Sequence, residues 1–219
     1  MKVLVAIMVI FVLCIIGLFI KQSIVDNKIN NDFSSVYSNE KYKDVVKVDG
    51  IEVIKQKISC GYASIQIFSE WIGKDITEQD LLEQNNGKIS TSIGNGFVKE
   101  MNKQFPEYKT TKYANLTNME LIDKTYDSLA SGMPVPIEFA AIYQENDIKV
   151  WTLHFALVTA MDIPNNRITV CNPYGYEEIY AVEDFLNSTR YDSYENMEFY
   201  FKLGFAAGLF NKNTIYVIK

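Results

Sequence analysis

The stretch SCGYASIQIFSEWIG, residues 59–73, decides the fold. Within it Ala63, Ile67 and Trp71 recur four residues apart, which predicts a helix with a broad apolar face. Cys60 stands at the start of this helix. Because a helix N-terminus presents unpaired N–H groups and about half a positive charge, it favours a thiolate over a thiol. Cys60 is therefore a candidate nucleophile, with a buried structural cysteine as the alternative.

Outward from this helix, helical patterns occupy the first half of the folded part and strand patterns the second half. A capping box at Thr77-x-x-Asp80 predicts a further short helix. Asp49-Gly50, between two β-branched runs, is typical of a tight hairpin turn. Other helices are predicted at 96–105, 119–130 and 182–186, and strands at 135–142, 150–159, 167–170, 178–181 and 214–218, whereas 197–210 fits neither pattern. This order indicates an α+β fold, with a helical half packed on an antiparallel sheet.

The amino terminus is a long apolar run. Val3–Ile20 contains 18 uncharged residues between Lys2 and Lys21. As a helix of about 1.5 Å per residue it spans ~27 Å, close to the hydrocarbon thickness of a bilayer. No small-x-small cleavage site follows it. The predicted organisation is a transmembrane anchor or uncleaved signal over 1–21, a polar stalk over 22–42 and a folded domain over 43–219.

The orientation of this anchor follows from the length of its tail. A very short tail before the apolar run favours leaving that tail in the cytoplasm and exporting the rest. We therefore expect a single-pass protein of the cell membrane whose domain is extracytoplasmic. Secretion after cleavage of the signal is the alternative.

Composition narrows the classes of function. The 219 residues carry 21 Lys and Arg against 27 Asp and Glu, a net charge of −6, whereas nucleic-acid binding depends on a basic surface. One histidine excludes a His-rich zinc site, and 3 cysteines do not make a disulfide framework. Outside the apolar run only Cys60 and Cys171 remain. Cys171 is expected to face the core, with a Cys60–Cys171 disulfide as the alternative.

Three further side chains could act with Cys60. His154, in the strand TLHFALV, has an imidazole whose ordinary pKa of ~6.5 suits proton exchange with a thiol, or it is a hydrogen-bonded histidine of the sheet. Asn172 could accept a hydrogen bond from that imidazole and fix its tautomer, although Asn-Pro is also a common turn. Gln56 could donate to an oxyanion or could simply be a polar strand residue.

The order of these residues resembles the C39-like papain-fold cysteine peptidases. The resemblance covers about residues 43–219 and rests on Gln56-x3-Cys60-Gly61-x-Ala63-Ser64, the following helices, the strand with the single histidine, and Asn172-Pro173-x-Gly175. It implies Cys60 as nucleophile and His154 as general base and acid. It further implies Asn172 as the residue that orients the imidazole and Gln56 as the oxyanion donor. It also implies a peptide or protein substrate, without a metal or an organic cofactor.

The leading hypothesis is accordingly a membrane-anchored cysteine peptidase. A thiol acyltransferase would use the same triad and pass the acyl group to an amine instead of water. A catalytically degenerate domain would only bind peptides. A clearly lowered pKa of the Cys60 thiol would favour catalysis, and an ordinary pKa of ~8.5 would favour binding alone.

Overall fold

The computed structural model describes residues 2–91, 94–145, 148–194 and 197–219, which form a mixed α+β fold. The helices are α1 (Lys2–Ile29), α2 (Cys60–Trp71), α3 (Glu78–Gln84), α4 (Gly96–Gln104), α5 (Asn118–Ala130), α6 (Val182–Arg190) and α7 (Phe199–Ala206). The strands are β1 (Val46–Lys47), β2 (Thr110–Tyr113), β3 (Val135–Glu145), β4 (Ile148–Asp162), β5 (Arg167–Asn172), β6 (Tyr176–Tyr180) and β7 (Thr214–Ile218). The predicted helical and strand halves are confirmed, and α7 resolves the ambiguous segment.

The strands form a single antiparallel sheet among the described residues. Its order is β2-β7-β3-β4-β5-β6, and β1 pairs with β4 outside this path. Strands β3 to β6 follow one another as the predicted meander. The last strand, β7, lies between β2 and β3. The sheet therefore extends from β3 through β7 to β2, which is the edge strand opposite β6.

Helices cover both faces of the sheet, and β4 shows how. Ala156 and Val158 pack into a core shared with α5 and α6, whereas Leu157 packs into a second core shared with α2 and α4. This alternation is the period of two that a strand imposes on its side chains. A residue of β4 therefore belongs to one face or the other by its parity.

The hairpin predicted at Asp49-Gly50 is wrong. Gly50 does adopt a positive φ of 78°, but β1 pairs with Met161 and Ala160 of β4 and not with the residues after the turn. The ladder between β3 and β4 begins at Val135 opposite Val158, so β3 does not pair with the residues of β4 after Val158. The two residues of β1 pair with β4 there instead.

The polar stalk predicted over 22–42 is also corrected. Helix α1 continues to Ile29, and residues 30–42 lie against the domain through two 3-10 helices, Ser34–Ser38 and Glu40–Tyr42. Ile29 and Val36 are fully buried. The Tyr42 hydroxyl donates to Asp123 at 2.8 Å. The segment is thus tied to the domain at Ile29, Val36 and Tyr42, whereas most of its other residues are exposed.

One helix among the described residues is long and apolar enough to cross a membrane, and it is α1. None of its most apolar window is buried in the protein. Its position at the N-terminus fits a signal sequence or an anchor.

Candidate active site

Cys60 is the first residue of α2, as predicted. Ser59 caps the helix, because its side chain accepts a hydrogen bond from the Tyr62 amide at 3.2 Å. Cys60 is partly exposed and lines a cavity of about 140 Å³. His154 lines the same cavity. The structure thus brings to one cavity a thiol and an imidazole that lie 94 positions apart in the chain.

A buried carboxylate holds the loop that leads into Cys60. Glu78, at the start of α3, accepts backbone N–H groups from Lys57 at 2.7 Å, Ile58 at 2.8 Å and Ser59 at 2.9 Å. It is only 3% exposed. Charge-assisted hydrogen bonds of this length are strong, so Glu78 fixes the path of the three residues before the thiol.

The imidazole of His154 is held by Asn172. His154 Nε2 lies 2.9 Å from Asn172 Oδ1, and both residues are buried. Asn172 Nδ2 donates to Glu178 at 2.8 Å, and the backbone amide of Tyr174 donates to Asn172 Oδ1 at 2.9 Å. These two bonds identify the atom facing the imidazole as the amide oxygen, an acceptor. His154 Nε2 therefore carries the proton, and in the neutral ring Nδ1 is left as a proton acceptor.

Aromatic rings enclose this pair. Tyr174 stacks on the His154 ring with centroids 4.0 Å apart, and Phe139 meets the ring edge-on at 5.6 Å. Burial lowers the pKa of His154 to about 4, and the hydrogen bond to Asn172 offsets only part of that effect. The imidazole is thus neutral at pH 7.

The end of β5 explains how Cys60 reaches the strand that carries His154. By parity His154 faces the α5 and α6 side of the sheet, whereas α2 packs on the opposite side. The ladder between β4 and β5 begins at Leu157 opposite Cys171, so the edge of β4 near Phe155 has no β5 neighbour. The backbone amide of Phe155 is one of the groups that act on the Cys60 sulfur. The thiol therefore lies at this open edge, where the two faces of the sheet meet.

The electrostatics of Cys60 differ from the sequence-based expectation. Burial raises the pKa of the Cys60 thiol, whereas hydrogen bonds from the backbone amides of Phe155, Gly61 and Cys60 itself lower it and only partly offset the burial. The negative charge of Glu138 raises the pKa further. The helix N-terminus does act in the expected direction, but loss of solvent outweighs it. Burial thus shifts the pKa values of Cys60 and His154 in opposite directions, each toward the uncharged form.

Glu138 forms the polar floor of the cavity. It pairs with Lys112 at 3.1 Å and accepts a hydrogen bond from the Tyr216 hydroxyl. Lys112 Nζ also donates to the carbonyl of Gly94 at 3.1 Å. The two charges neutralise each other in a narrow site. Within the described parts of the chain, no group of three or more His, Cys, Asp or Glu side chains could hold a metal ion.

Gln56 does not reach the cavity wall formed by the described residues. Its backbone amide donates to the carbonyl of Pro173 at 2.7 Å, which brings its loop beside the turn after Asn172. Its side-chain Oε1 is buried and makes no hydrogen bond within the described part of the chain. The oxyanion role of Gln56 stays a prediction.

Gly61 is needed for packing. A side chain at this position would put its Cβ 2.3 Å from Thr91 Oγ1 and 2.8 Å from Thr91 Cβ. Thr91 thus occupies the space that a side chain at position 61 would need. Only glycine lets the start of α2 lie this close to the residue 91 loop.

Cys171 faces the core, as its position on a strand predicts. It is 3% exposed, belongs to the core shared with α2 and is a free thiol here. Burial raises its pKa to about 12. Its neighbour Asn172 points to the other face, toward His154.

Three residues that organise the site were missed by sequence reasoning. From the sequence, Glu78 is simply the residue after Thr77 in the capping box, Tyr174 is the unspecified position of Asn172-Pro173-x-Gly175, and Glu178 is the first residue of a predicted strand. Tyr174 was the most accessible of them, because an aromatic residue two positions after Asn172 is a local signal. The partners of Glu78 and Glu178 depend on tertiary contacts.

One comparison with known proteins identifies a family. The family model described as Peptidase_C39 like family matches residues 48–200, which is more than half of the chain. No curated protein matches the chain significantly.

Proposed function

The chain belongs to the Peptidase_C39 like family, for which a papain-like fold is implied, and on this premise we propose that it is a cysteine peptidase acting through Cys60, His154 and Asn172. The observation that carries the proposal is the shared cavity of Cys60 and His154, with His154 Nε2 held by Asn172. A peptide or protein chain is the substrate class that the family implies.

The first half of the reaction uses the bare Nδ1 of His154. It takes the proton from Cys60 Sγ as the sulfur attacks a peptide carbonyl, and the C–S bond forms. The tetrahedral oxyanion is stabilised by backbone N–H groups at the start of α2. Gln56 Nε2 is the second donor that the family resemblance implies, and it has to turn toward the cavity to act, since Gln56 does not line the cavity in this structure. When the C–N bond breaks, His154 returns the proton to the leaving amine and a thioester remains on Cys60.

The second half hydrolyses the thioester. His154 takes a proton from water as the water oxygen attacks the acyl carbon. The C–S bond then breaks, the proton returns to Cys60 Sγ, and the product leaves as a carboxylic acid. Asn172 Oδ1 accepts the hydrogen bond from His154 Nε2–H throughout, so it stabilises the imidazolium that forms in each half of the reaction.

Turnover of a peptide mixture by the full-length chain in detergent tests this proposal. A tryptic digest of a whole proteome offers many sequences, and mass spectrometry detects new termini and the added water. Cys60→Ala is expected to abolish both the cleavage of peptides and the alkylation of residue 60 by a thiol reagent. Cys14→Ser is the matched control, because Cys14 is an exposed cysteine of α1 far along the chain from the cavity. Full cleavage by Cys60→Ala would end the proposal.

A peptide-binding domain without turnover is the second candidate, and the raised pKa of Cys60 is the observation that favours it. The two candidates differ in what a bound peptide does to the thiol. In a peptidase, iodoacetamide alkylates Cys60, and the unmodified chain cleaves peptides in a reaction that depends on His154. In a binding domain, peptides protect Cys60 from iodoacetamide but are recovered intact.

We also propose that α1 remains attached as a single-pass anchor with the domain outside the cytoplasm. The support is its continuity with the domain: Asp26 pairs with Lys212 at 2.8 Å, and Ile29 is buried. Cleavage after the apolar run would cut this helix about two thirds of the way along its length. Labelling of Glu83→Cys in intact cells by a membrane-impermeant maleimide tests the orientation, since Glu83 is exposed on α3. Labelling only after lysis would reverse it.

A further inference from the structure

Helix α7 has more apolar surface than the protein covers. Its sequence, FYFKLGFA, is apolar around its whole circumference apart from Lys202. Such a helix is normally buried in a core or in lipid. Its C-terminal part is buried through Gly204, Phe205 and Ala206. Its N-terminal end leaves Phe199 61% exposed and Tyr200 59% exposed, which is large for two adjacent aromatic residues.

The exposed aromatic residues lie beside α1. The ring of Phe199 is 6.2 Å from the ring of Phe19, centroid to centroid. Phe19 is the last residue but one of the apolar run, and Lys21 follows that run. At about 1.5 Å per residue, Phe19 lies within one turn of the end of the hydrocarbon layer that α1 would span. Phe199 is therefore at the level where membrane meets water.

The geometry points to a membrane-binding surface, and we propose that Phe199, Tyr200 and Leu209, hereafter the α7 face, lie in the interfacial layer of the bilayer that α1 crosses. This proposal rests on the proposed anchoring by α1. Leu209 is 54% exposed and lies three residues after the end of α7. Aromatic rings are favoured at this depth, and the Lys202 amine can extend to the headgroups. Continuity with the exposed apolar surface of α1 selects lipid over a second copy of the chain as the occupant.

The α7 face is also connected to the candidate active site. Leu209 and Phe210 form part of the wall of the cavity that contains Cys60 and His154. Phe210 packs on Gly204 of α7, where a Cβ would come within 2.6 Å of its ring. The mouth of the cavity is thus attached to the surface that contacts lipid. The favoured substrates are peptide segments presented at the membrane surface, such as those next to a membrane anchor.

Depth-dependent fluorescence quenching in vesicles tests the α7 face. Tyr200→Cys, in the full-length chain with Cys14→Ser and Cys60→Ser, is labelled with bimane and reconstituted in phosphatidylcholine–phosphatidylglycerol vesicles. Nitroxide attached to the lipid headgroup is expected to quench this label several-fold more than the same label at Glu83→Cys, an exposed position on α3. Equal quenching at the two positions, in chains that float with the vesicles, would overturn the proposal. Self-association through α7 would give this result.

A second measurement tests the position of the cavity without a known substrate. In the Cys14→Ser chain, an iodoacetamide group attached to a lipid headgroup by a short linker is expected to alkylate Cys60. The matched control is Glu83→Cys in the Cys14→Ser, Cys60→Ser chain, and it is expected to react far more slowly. No preference for Cys60, relative to the reactivity of each thiol with soluble iodoacetamide, would contradict the placement of the cavity mouth.

These outcomes separate the membrane surface from the peptidase proposal. Strong headgroup quenching at position 200, combined with no peptide cleavage by the parent chain that retains Cys60, would retain the α7 face and reject catalysis. A chain that cleaves peptides but does not float with vesicles would reject the anchor and the α7 face together.

Discussion

Replacing Glu78 by glutamine should loosen the loop that delivers Cys60 to the cavity. The carboxylate accepts three backbone N–H groups, one at Oε1 and two at Oε2. A glutamine amide has only one oxygen. Its best orientation places that oxygen where the Ile58 and Ser59 amides converge and turns its NH2 group toward the Lys57 N–H, which then has no acceptor.

The size of the effect follows from these bonds. Lys57 is an exposed residue, so water partly replaces the acceptor that its N–H loses and the loss costs about 1 kcal/mol; the two bonds reduced from charge-assisted to neutral lose about 1 kcal/mol each. The expected loss in the free energy of unfolding for Glu78→Gln is therefore about 3 kcal/mol. At a urea slope of about 2 kcal/mol/M, the unfolding midpoint falls by roughly 1.5 M.

Urea titration of the full-length chain in detergent, followed by the fluorescence of its 2 tryptophans, measures this loss. Glu83→Gln is the matched control, since it makes the same change on the exposed side of the same helix. We expect it to stay within about 0.5 kcal/mol of the parent chain. A Glu78→Gln chain as stable as its control would refute the role assigned to the buried carboxylate.

Three other predictions test the site itself. Because the pKa of His154 falls to about 4 in the folded state, only the unfolded chain protonates this histidine as pH drops below ~6.5. The free energy of unfolding should therefore fall by about 2 kcal/mol between pH 7 and pH 5 on account of His154. His154→Gln should remove this part of the pH dependence in urea titrations at the two pH values. Nitrogen NMR of the single histidine should report the Nε2-protonated tautomer, and a proton on Nδ1 would contradict the orientation given to Asn172. Gly61→Ala should destabilise the chain by about 1–3 kcal/mol despite the better helix propensity of alanine, because its Cβ meets Thr91. Adding Thr91→Gly should restore much of that loss in thermal unfolding, and no recovery would show that the contact is not the cause.

Periodicity predicted the elements whose sequences are amphipathic by themselves. α2 and α5 end within one or two residues of the predicted bounds, since their apolar positions repeat at the helical period. It failed for β2, a four-residue strand with a lysine, which forms because β7 offers it an edge. It did indicate an extended run at β1 but gave it the wrong partner, since β1 pairs with a distant stretch of β4.

The sequence by itself determined which chemical groups this protein has to work with: a cysteine at the start of an apolar helix, one histidine within a strand, an asparagine after a strand and a long apolar N-terminus. These are local properties, set by residue type and by spacing of a few positions. Tertiary structure alone decided their electrostatic state and their supports. Burial makes His154 a neutral base and raises the thiol pKa against the effect of the helix N-terminus, and desolvation depends on residues far away in the chain. The same holds for Glu78, which stabilises a loop some twenty positions before it, and for the contact between α7 and α1, which joins the two ends of the chain.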